Sequence, residues 1–364
     1  MSHKGISFLF VLSSVTKSKT TAFVETLASA AVSSSNIGGG GGAIWLGEHH
    51  NSRKDHDFQA GFIRQIHDVR QKNPKSQEDS QTASTPPTPP PMAIGLEQVQ
   101  KQFQYVLDDY INGKISLDEL KQNVEWDKRW IWDFNGYQEI FETAKQLNIK
   151  LLALNVDTED LVLVEKDGYP GLPLHRLRKY IIDPIGFGSF AKTKEFSTYV
   201  DYVISPSYDI HDQLGLLQTT MTGERLEEKM SFRNFLSGRI LWDESMASTS
   251  YTWVKQNPNG LLIGLVGADH VKFTNGIPGR FARMSEKDGG PTCSTIIINP
   301  TLIDSRPSGS VANIAGSDLS NTPDKITLQL RYLKDGVDTT NVEERKLPAS
   351  TGGVMPFADF IVVT

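Results

Sequence analysis

Two four-residue segments hold the most chemistry in this chain: Gly47-Glu48-His49-His50 and Gly267-Ala268-Asp269-His270. Each ends in an imidazole, the side chain whose charge changes near neutral pH and which serves as base, acid or metal ligand. Each follows a short apolar run, Ala43–Leu46 and Leu261–Val266, of the length and composition of a buried strand. The pattern therefore places an imidazole at the carboxyl ends of two strands far apart in sequence, the edge where open α/β sheets bind ligands. The glycine is expected to let the backbone turn sharply as it leaves the strand. The plain alternative is that His50 and His270 only cap strand ends.

A third strand, Met92–Leu96, ends at Glu97. A carboxylate there is costly unless it is paired, so Glu97 should meet a histidine, a metal or a ligand. Glu48 and Asp269 are further candidate carboxylates. His49 and His56 could join His50 on one ion, although a six-residue step from His50 to His56 fits no standard zinc spacing. Arg280 and Arg283 follow the second histidine closely, and their forked guanidinium groups suit a carboxylate. Asp243 and Met246 lie on a long helical pattern that could face the same edge, with Met246 better explained by core packing. Trp126, Trp130 and Trp132 form either a small aromatic core or the floor of a pocket.

The elements that would position these groups alternate. After Ala43–Leu46 comes a helix with Phe58, Phe62, Ile63, Ile66 and Val69 at three-to-four spacing. Residues 71–91 are rich in Gln, Ser, Thr and Pro and read as an exposed, extended or disordered insertion. Helices are expected at Val99–Tyr110, at Tyr137–Leu147, over Glu224–Lys255 and at Pro278–Met284, with a short one capped by Ser116 and Glu119. Strands are expected at Lys150–Asn155 and Ser294–Ile298, and a short strand or extended segment at Tyr202–Ile204. Such alternation predicts an α/β fold, a central, mainly parallel sheet with helices on both faces. The domain should run over residues 43–305. Residues 306–364 alternate at Ile326–Tyr332, turn at Lys334-Asp335-Gly336 and end in apolar Phe360–Val363, which predicts a small C-terminal β extension.

The chain has 364 residues, 38% hydrophobic and 22% charged, ordinary values for a globular protein. A net charge of −6 argues against a broad nucleic-acid surface. No apolar stretch is long enough to span a bilayer, and Cys293 has no second cysteine to pair with. Residues 1–42 read as a targeting presequence and Gly-rich linker. Lys4 precedes a ten-residue apolar core, Ile6–Val15, followed by the small-residue site Thr20-Thr21-Ala22. Phe23 directly after that site resembles the two-part presequences that lead into secondary plastids; a secretory signal or a mitochondrial leader is the alternative.

Taken in order, Gly47-x-x-His50, Gly95-Leu96-Glu97, Trp242-Asp243-Glu244-Ser245-Met246-Ala247 and Gly267-x-x-His270 with Gly276-Ile277-Pro278-Gly279-Arg280 resemble the ChaN-like haem-binding uptake family. That family is grouped with the Tiki proteases, the TraB proteins and the erythromycin esterases. The resemblance covers about residues 43–300. It implies a cleft at the carboxyl edge of the sheet that binds haem or a related tetrapyrrole, often in a homodimer, for iron or haem trafficking or sequestration. Arg280 would then meet a propionate. His50, Glu97 and His270 would line the site, and Tyr208 and Tyr251 are candidate axial tyrosines between which the sequence does not choose. The Tiki and esterase relatives imply instead a hydrolase, metal-dependent or histidine-based, with His50, Glu97 and His270 as its catalytic groups and His49, His50, His56, Glu97 and His270 as candidates to hold a divalent metal ion.

Overall fold

A computed structural model describes residues 41–72, 90–287, 292–300, 333–334, 337–338 and 357–364. The expected leader (residues 1–40), the low-complexity stretch over 73–89 and most of the C-terminal extension, including Ile326–Tyr332, lie outside the described residues.

Six parallel strands form the centre: β1 (Gly42–Glu48), β2 (Met92–Gln100), β3 (Lys150–Asn155), β4 (Leu261–Gly267), β5 (Thr292–Ile298) and, beyond a separate antiparallel ladder of β6 (Leu333–Lys334) with β7 (Val337–Asp338), β8 (Phe360–Val362). Their spatial order is β3-β2-β4-β1-β5-β8. β1 and β4 are buried at every residue, which is why they read as continuous apolar runs: a parallel sheet is covered on both faces. The end of the C-terminal extension thus joins the main sheet, with Ile296, Ile297 and Ile298 opposite Phe360, Ile361 and Val362.

Among helices of at least eight residues, α1 (Arg53–Lys72), α2 (Gln104–Ile111) and α3 (Phe134–Gln146) cover one face. There Ile44, Leu46, Ile94, Leu96, Ile263 and Leu265 meet Phe62, Ile66, Leu107 and Phe141. The other face presents the alternate residues Ala43, Trp45, Ala93, Leu262 and Val266. They pack against Met246, Ala247 and Tyr251 of α6 (Phe232–Gln256) and Phe281 and Met284 of α7 (Ile277–Lys287). Between these groups come α4 (Thr158–Asp167) and α5 (Ser205–Gln213). Each fully buried aliphatic side chain of this kind contributes about 1.5–3 kcal/mol. No helix among the described residues is long and apolar enough to cross a membrane.

Four local expectations change. β2 runs on to Gln100 instead of stopping at Leu96, because Gln100 is buried with side-chain partners in Thr158 and Arg129. Helix α2 correspondingly begins only at Gln104, after a single 3₁₀ turn over Lys101–Phe103. Tyr202–Ile204 is not a strand. It lies in a π-helical turn, Val200–Ile204, that joins Lys194–Tyr199 to α5 as one helical run. Its β-branched residues read as a strand, yet Val203 and Ile204 are buried in a helix-built cluster with Phe196 and Tyr199. Pro206 lacks the N–H that a regular α-turn would use there, which accounts for the widened turn. The long helical pattern starts at Phe232, where Ser231 accepts from Asn234 N, and not at Glu224.

Candidate functional site

The strand order makes the site. β4 lies between β2 and β1, so Glu97, Gly267 and Glu48 emerge side by side although some 170 residues separate Glu97 from Gly267. Neighbouring strands stand about 4.8 Å apart. The register between β2 and β3 shifts after Leu96, a bulge that falls where Glu97 leaves the regular pleat.

At this edge three carboxylates alternate with two imidazoles. Glu48 is buried and accepts from His50 Nδ1 (2.8 Å), Tyr137 OH (2.6 Å) and Gln59 Nε2 (2.7 Å). His50 Nε2 faces Glu97 Oε1 at 3.7 Å. The same oxygen lies 3.3 Å from His270 Nε2, while Glu97 Oε2 accepts from Gly267 N at 2.6 Å. His270 Nδ1 in turn meets Asp243 Oδ1 at 2.5 Å. An ionised carboxylate can only accept, so both imidazoles carry a proton on Nδ1.

The charges hold one another in place. Burial alone would push Glu48 up; the hydrogen bonds and charges of His50 and His56 outweigh it and hold the carboxyl far below its usual range. Burial likewise works against ionised Glu97, but the charges of His270 and His50 and the Gly267 amide keep it low. For His50, burial is overcome by the charge of Glu97 and the bond to Glu48, and its pKa is raised. For His270, burial is overcome chiefly by Glu97 and Asp243, and its pKa rises to about 9.

The glycines of the two motifs serve close approach rather than an unusual turn. Neither Gly47 nor Gly267 has positive φ. A Cβ on Gly267 would stand 2.7 Å from His50 Nε2, and one on Gly47 would stand 2.8 Å from the Val271 side chain and 3.1 Å from Ala268 Cα. The expected sharp turn is thus corrected: any side chain would occupy the space into which the neighbouring motif packs.

Above this edge opens a cavity of about 1160 Å³. His50, 20% exposed, looks into it, whereas His270 is sealed at 2%. Trp130 and Trp132 stand edge-on to His50, at 4.9 and 5.4 Å between ring centres. Trp126 does not join them. It packs on Phe134, Tyr137 and Phe141 in the core and donates Nε1 to Trp132 O. The opposite wall is one stripe of α6, Phe235, Gly238, Arg239 and Trp242, at helical spacing. The Arg239 guanidinium lies over the Trp242 ring at 5.6 Å. Arg239 Nε and Trp242 Nε1 are both buried with no hydrogen-bond partner among the described residues.

The structure distributes the expected residues unevenly. His50, Glu97, His270 and Asp243 come together. His49 turns to Asp55, which takes its amide at 2.8 Å and Nδ1 at 3.2 Å. His56 is buried, tilted over the Tyr137 ring at 4.0 Å, with Nε2 3.5 Å from Glu48. Asp269 pairs with Lys272 at 2.5 Å. Five of the expected residues stand away from the cavity wall. Arg280 is fully buried, donates to Glu244 Oε2 at 3.0 Å and is ringed by Phe187, Phe190 and Phe196. Arg283 shares the same carboxylate at 2.6 Å. Tyr208 donates its hydroxyl to Met230 O at 2.9 Å, and Tyr251 packs in the core against Phe281. Met246 is a core residue. Among the described residues no three His, Cys, Asp or Glu groups are placed to hold one metal ion. Tyr137, Gln59, Arg239 and His211 were not singled out from sequence; for Arg239 the signal was present in its spacing from Phe235 and Trp242.

Fold and site together define a parallel α/β protein with a cavity over the carboxyl ends of three adjacent strands. The chain matches the haem-binding uptake family of the Tiki superfamily, ChaN, over residues 40–281, and it belongs to that family. No curated protein matches it. Among solved structures it is similar to ChaN of Campylobacter jejuni with cofacial haem, at 14% identity and a TM-score of 0.45 over 80% of this chain and 90% of that one. It is also similar to a mutant erythromycin esterase, EreC, in its open conformation, at 15% identity and a TM-score of 0.39 over 76% and 72%.

Proposed function

We propose that this protein binds haem in the cavity over β1, β4 and β2 and serves to move or sequester it. The observation that carries this reading is the cavity itself. Its volume lies somewhat above the roughly 300–1,000 Å³ of small-molecule sites, room enough for a large ligand. Its walls combine the flat indoles of Trp130, Trp132 and Trp242 with the guanidinium of Arg239, which, unlike the lining Arg53 and Arg129, makes no ion pair with a carboxylate among the described residues. Buried donors are normally satisfied, and a ligand carboxylate is what Arg239 Nε and Trp242 Nε1 are missing. Arg239, rather than Arg280, is thus the residue suited to a propionate. The tryptophans would hold the macrocycle, and a bound haem would supply the redox-active iron. The test is a hemin titration of the full chain followed in the Soret region. A saturable shift, weakened in Arg239→Ala, is expected; no shift in the unmodified protein retires the reading.

One observation favours a second reading, a histidine-based hydrolase. The line Glu48–His50–Glu97–His270–Asp243, whose widest step is the 3.7 Å between His50 and Glu97, orients two imidazoles by carboxylates, more than a binding pocket requires. His50, the exposed member, would be the base. Ester or amide hydrolysis lost in His50→Ala, without a Soret shift on hemin, would favour it.

A further inference from the structure

We propose that His211 is the ligand through which this chain holds the iron of a bound haem. The assignment rests on the haem reading above and gives the iron a residue that neither histidine motif supplies. His211 lies on α5 and lines the cavity. Its Nδ1 is 2.7 Å from Ser207 O, one turn back on the same helix. A carbonyl only accepts, so Nδ1 carries the proton and the lone pair resides on Nε2 at the far side of the ring. A backbone carbonyl fixing one nitrogen while the other meets the metal is the usual arrangement of a metal-bound histidine. The ring is steadied by Phe235, edge-on at 5.2 Å. Phe235 belongs to the α6 stripe that also carries Arg239, so iron ligand and propionate partner share one wall.

The other imidazoles of the wall are committed. His50 has Nδ1 on Glu48, and its Nε2 side is so close to Gly267 that a single Cβ there would stand at 2.7 Å. His270 has a carboxylate at each nitrogen and is sealed. His49 is held by Asp55, and His56 is buried against Tyr137 with Nε2 toward Glu48. Of the two candidate tyrosines, Tyr208 gives its hydroxyl proton to Met230 O and Tyr251 is in the core.

The experiment compares the full chain with His211→Ala and Tyr208→Phe, each titrated with hemin and, separately, with metal-free protoporphyrin IX, followed by optical absorbance and electron paramagnetic resonance. The unmodified chain and Tyr208→Phe should share one nitrogen-ligated ferric spectrum. His211→Ala should lose that spectrum, bind hemin at least about tenfold more weakly, and regain the spectrum when imidazole is added. Protoporphyrin IX, which has no iron, should bind all three alike. If the unmodified chain binds hemin and His211→Ala keeps spectrum and affinity, the assignment falls while the haem reading stands. If His211→Ala also loses protoporphyrin IX, His211 only shapes the pocket and the assignment falls. If the unmodified chain binds no hemin, both readings fall together.

Discussion

Glu97 is the residue on which the site turns. Its Oε1 faces the Nε2 of both His50 and His270, at 3.7 and 3.3 Å. Removing its charge leaves the sealed His270 with a buried charge that Glu97 no longer balances, so Glu97→Gln should cost about 3–5 kcal/mol in urea unfolding at neutral pH. The same cluster predicts a pH profile. Unfolded histidine titrates near 6.5 and folded His270 near 9, so the stability from its charged form is complete below about 6.5 and is lost as pH rises through 9. Glu48 and Glu97 have folded values below 4.5, so their contribution is present above 4.5 and is lost as pH falls below it. Glu165, another residue of the cavity wall, runs the opposite way for a carboxylate: burial pushes it up to about 7 from 4.5. Its contribution is complete below 4.5 and is lost as pH rises through 7. Glu165→Gln should therefore remove the fall in stability between about pH 4.5 and 7 and leave the His270 fall between about 6.5 and 9. Thermal melting across that range checks both, and a single unchanged curve would contradict the assignment to Glu165.

At the scale of elements, the two Gly-x-x-His motifs act as one because β1 and β4 pair in register, with Glu48 opposite Gly267. Gly267→Ala puts a methyl group 2.7 Å from His50 Nε2, with Glu97 Oε2 at 3.7 Å. It should cost about 1–3 kcal/mol, the range for an overpacked site, and should shift the His50 imidazole resonances, which a mere loss of chain flexibility would not. His50, Glu97 and His270 were legible in the sequence because strand ends in a parallel sheet announce themselves as apolar runs that stop at a polar group. Their pairing partners were less so: Asp243 showed only as a helical residue able to face the edge, and Tyr137 and Gln59 reach Glu48 from helices whose rotation no local pattern fixes. Arg280 was read from its nearness to His270 along the chain. Its helical spacing from Ile277, Phe281 and Met284 already placed it on the buried face of α7, and the structure follows the spacing. The polar end of β2 and the π-turn before α5 were hidden for a common reason: tertiary contacts there override local preference.

For the whole molecule, two proposals follow from what surrounds the site. The first concerns address: residues 1–42, fused to a fluorescent reporter, are expected to deliver it to an organelle, to the plastid if Phe23 acts as proposed, and Phe23→Ala should then divert it. The second concerns assembly. Ile131, Leu216 and Met221 line the cavity yet are 84%, 49% and 46% exposed, an apolar rim around a mouth that also holds the aromatic wall. Apolar groups gathered at one opening are the mark of a surface that meets something. A second copy seated mouth to mouth would cover the rim of both partners with one two-fold contact, and it would close the cavity from water. The protein should therefore be monomeric or weakly associated alone and form a homodimer when hemin is added, as measured by light scattering on a sizing column. Ile131→Glu, which sets a charge on the rim and touches none of the Glu48–Asp243 line, should abolish the hemin-dependent dimer while a Soret shift remains. A dimer of unchanged stability in that variant would move the contact to another face of the molecule.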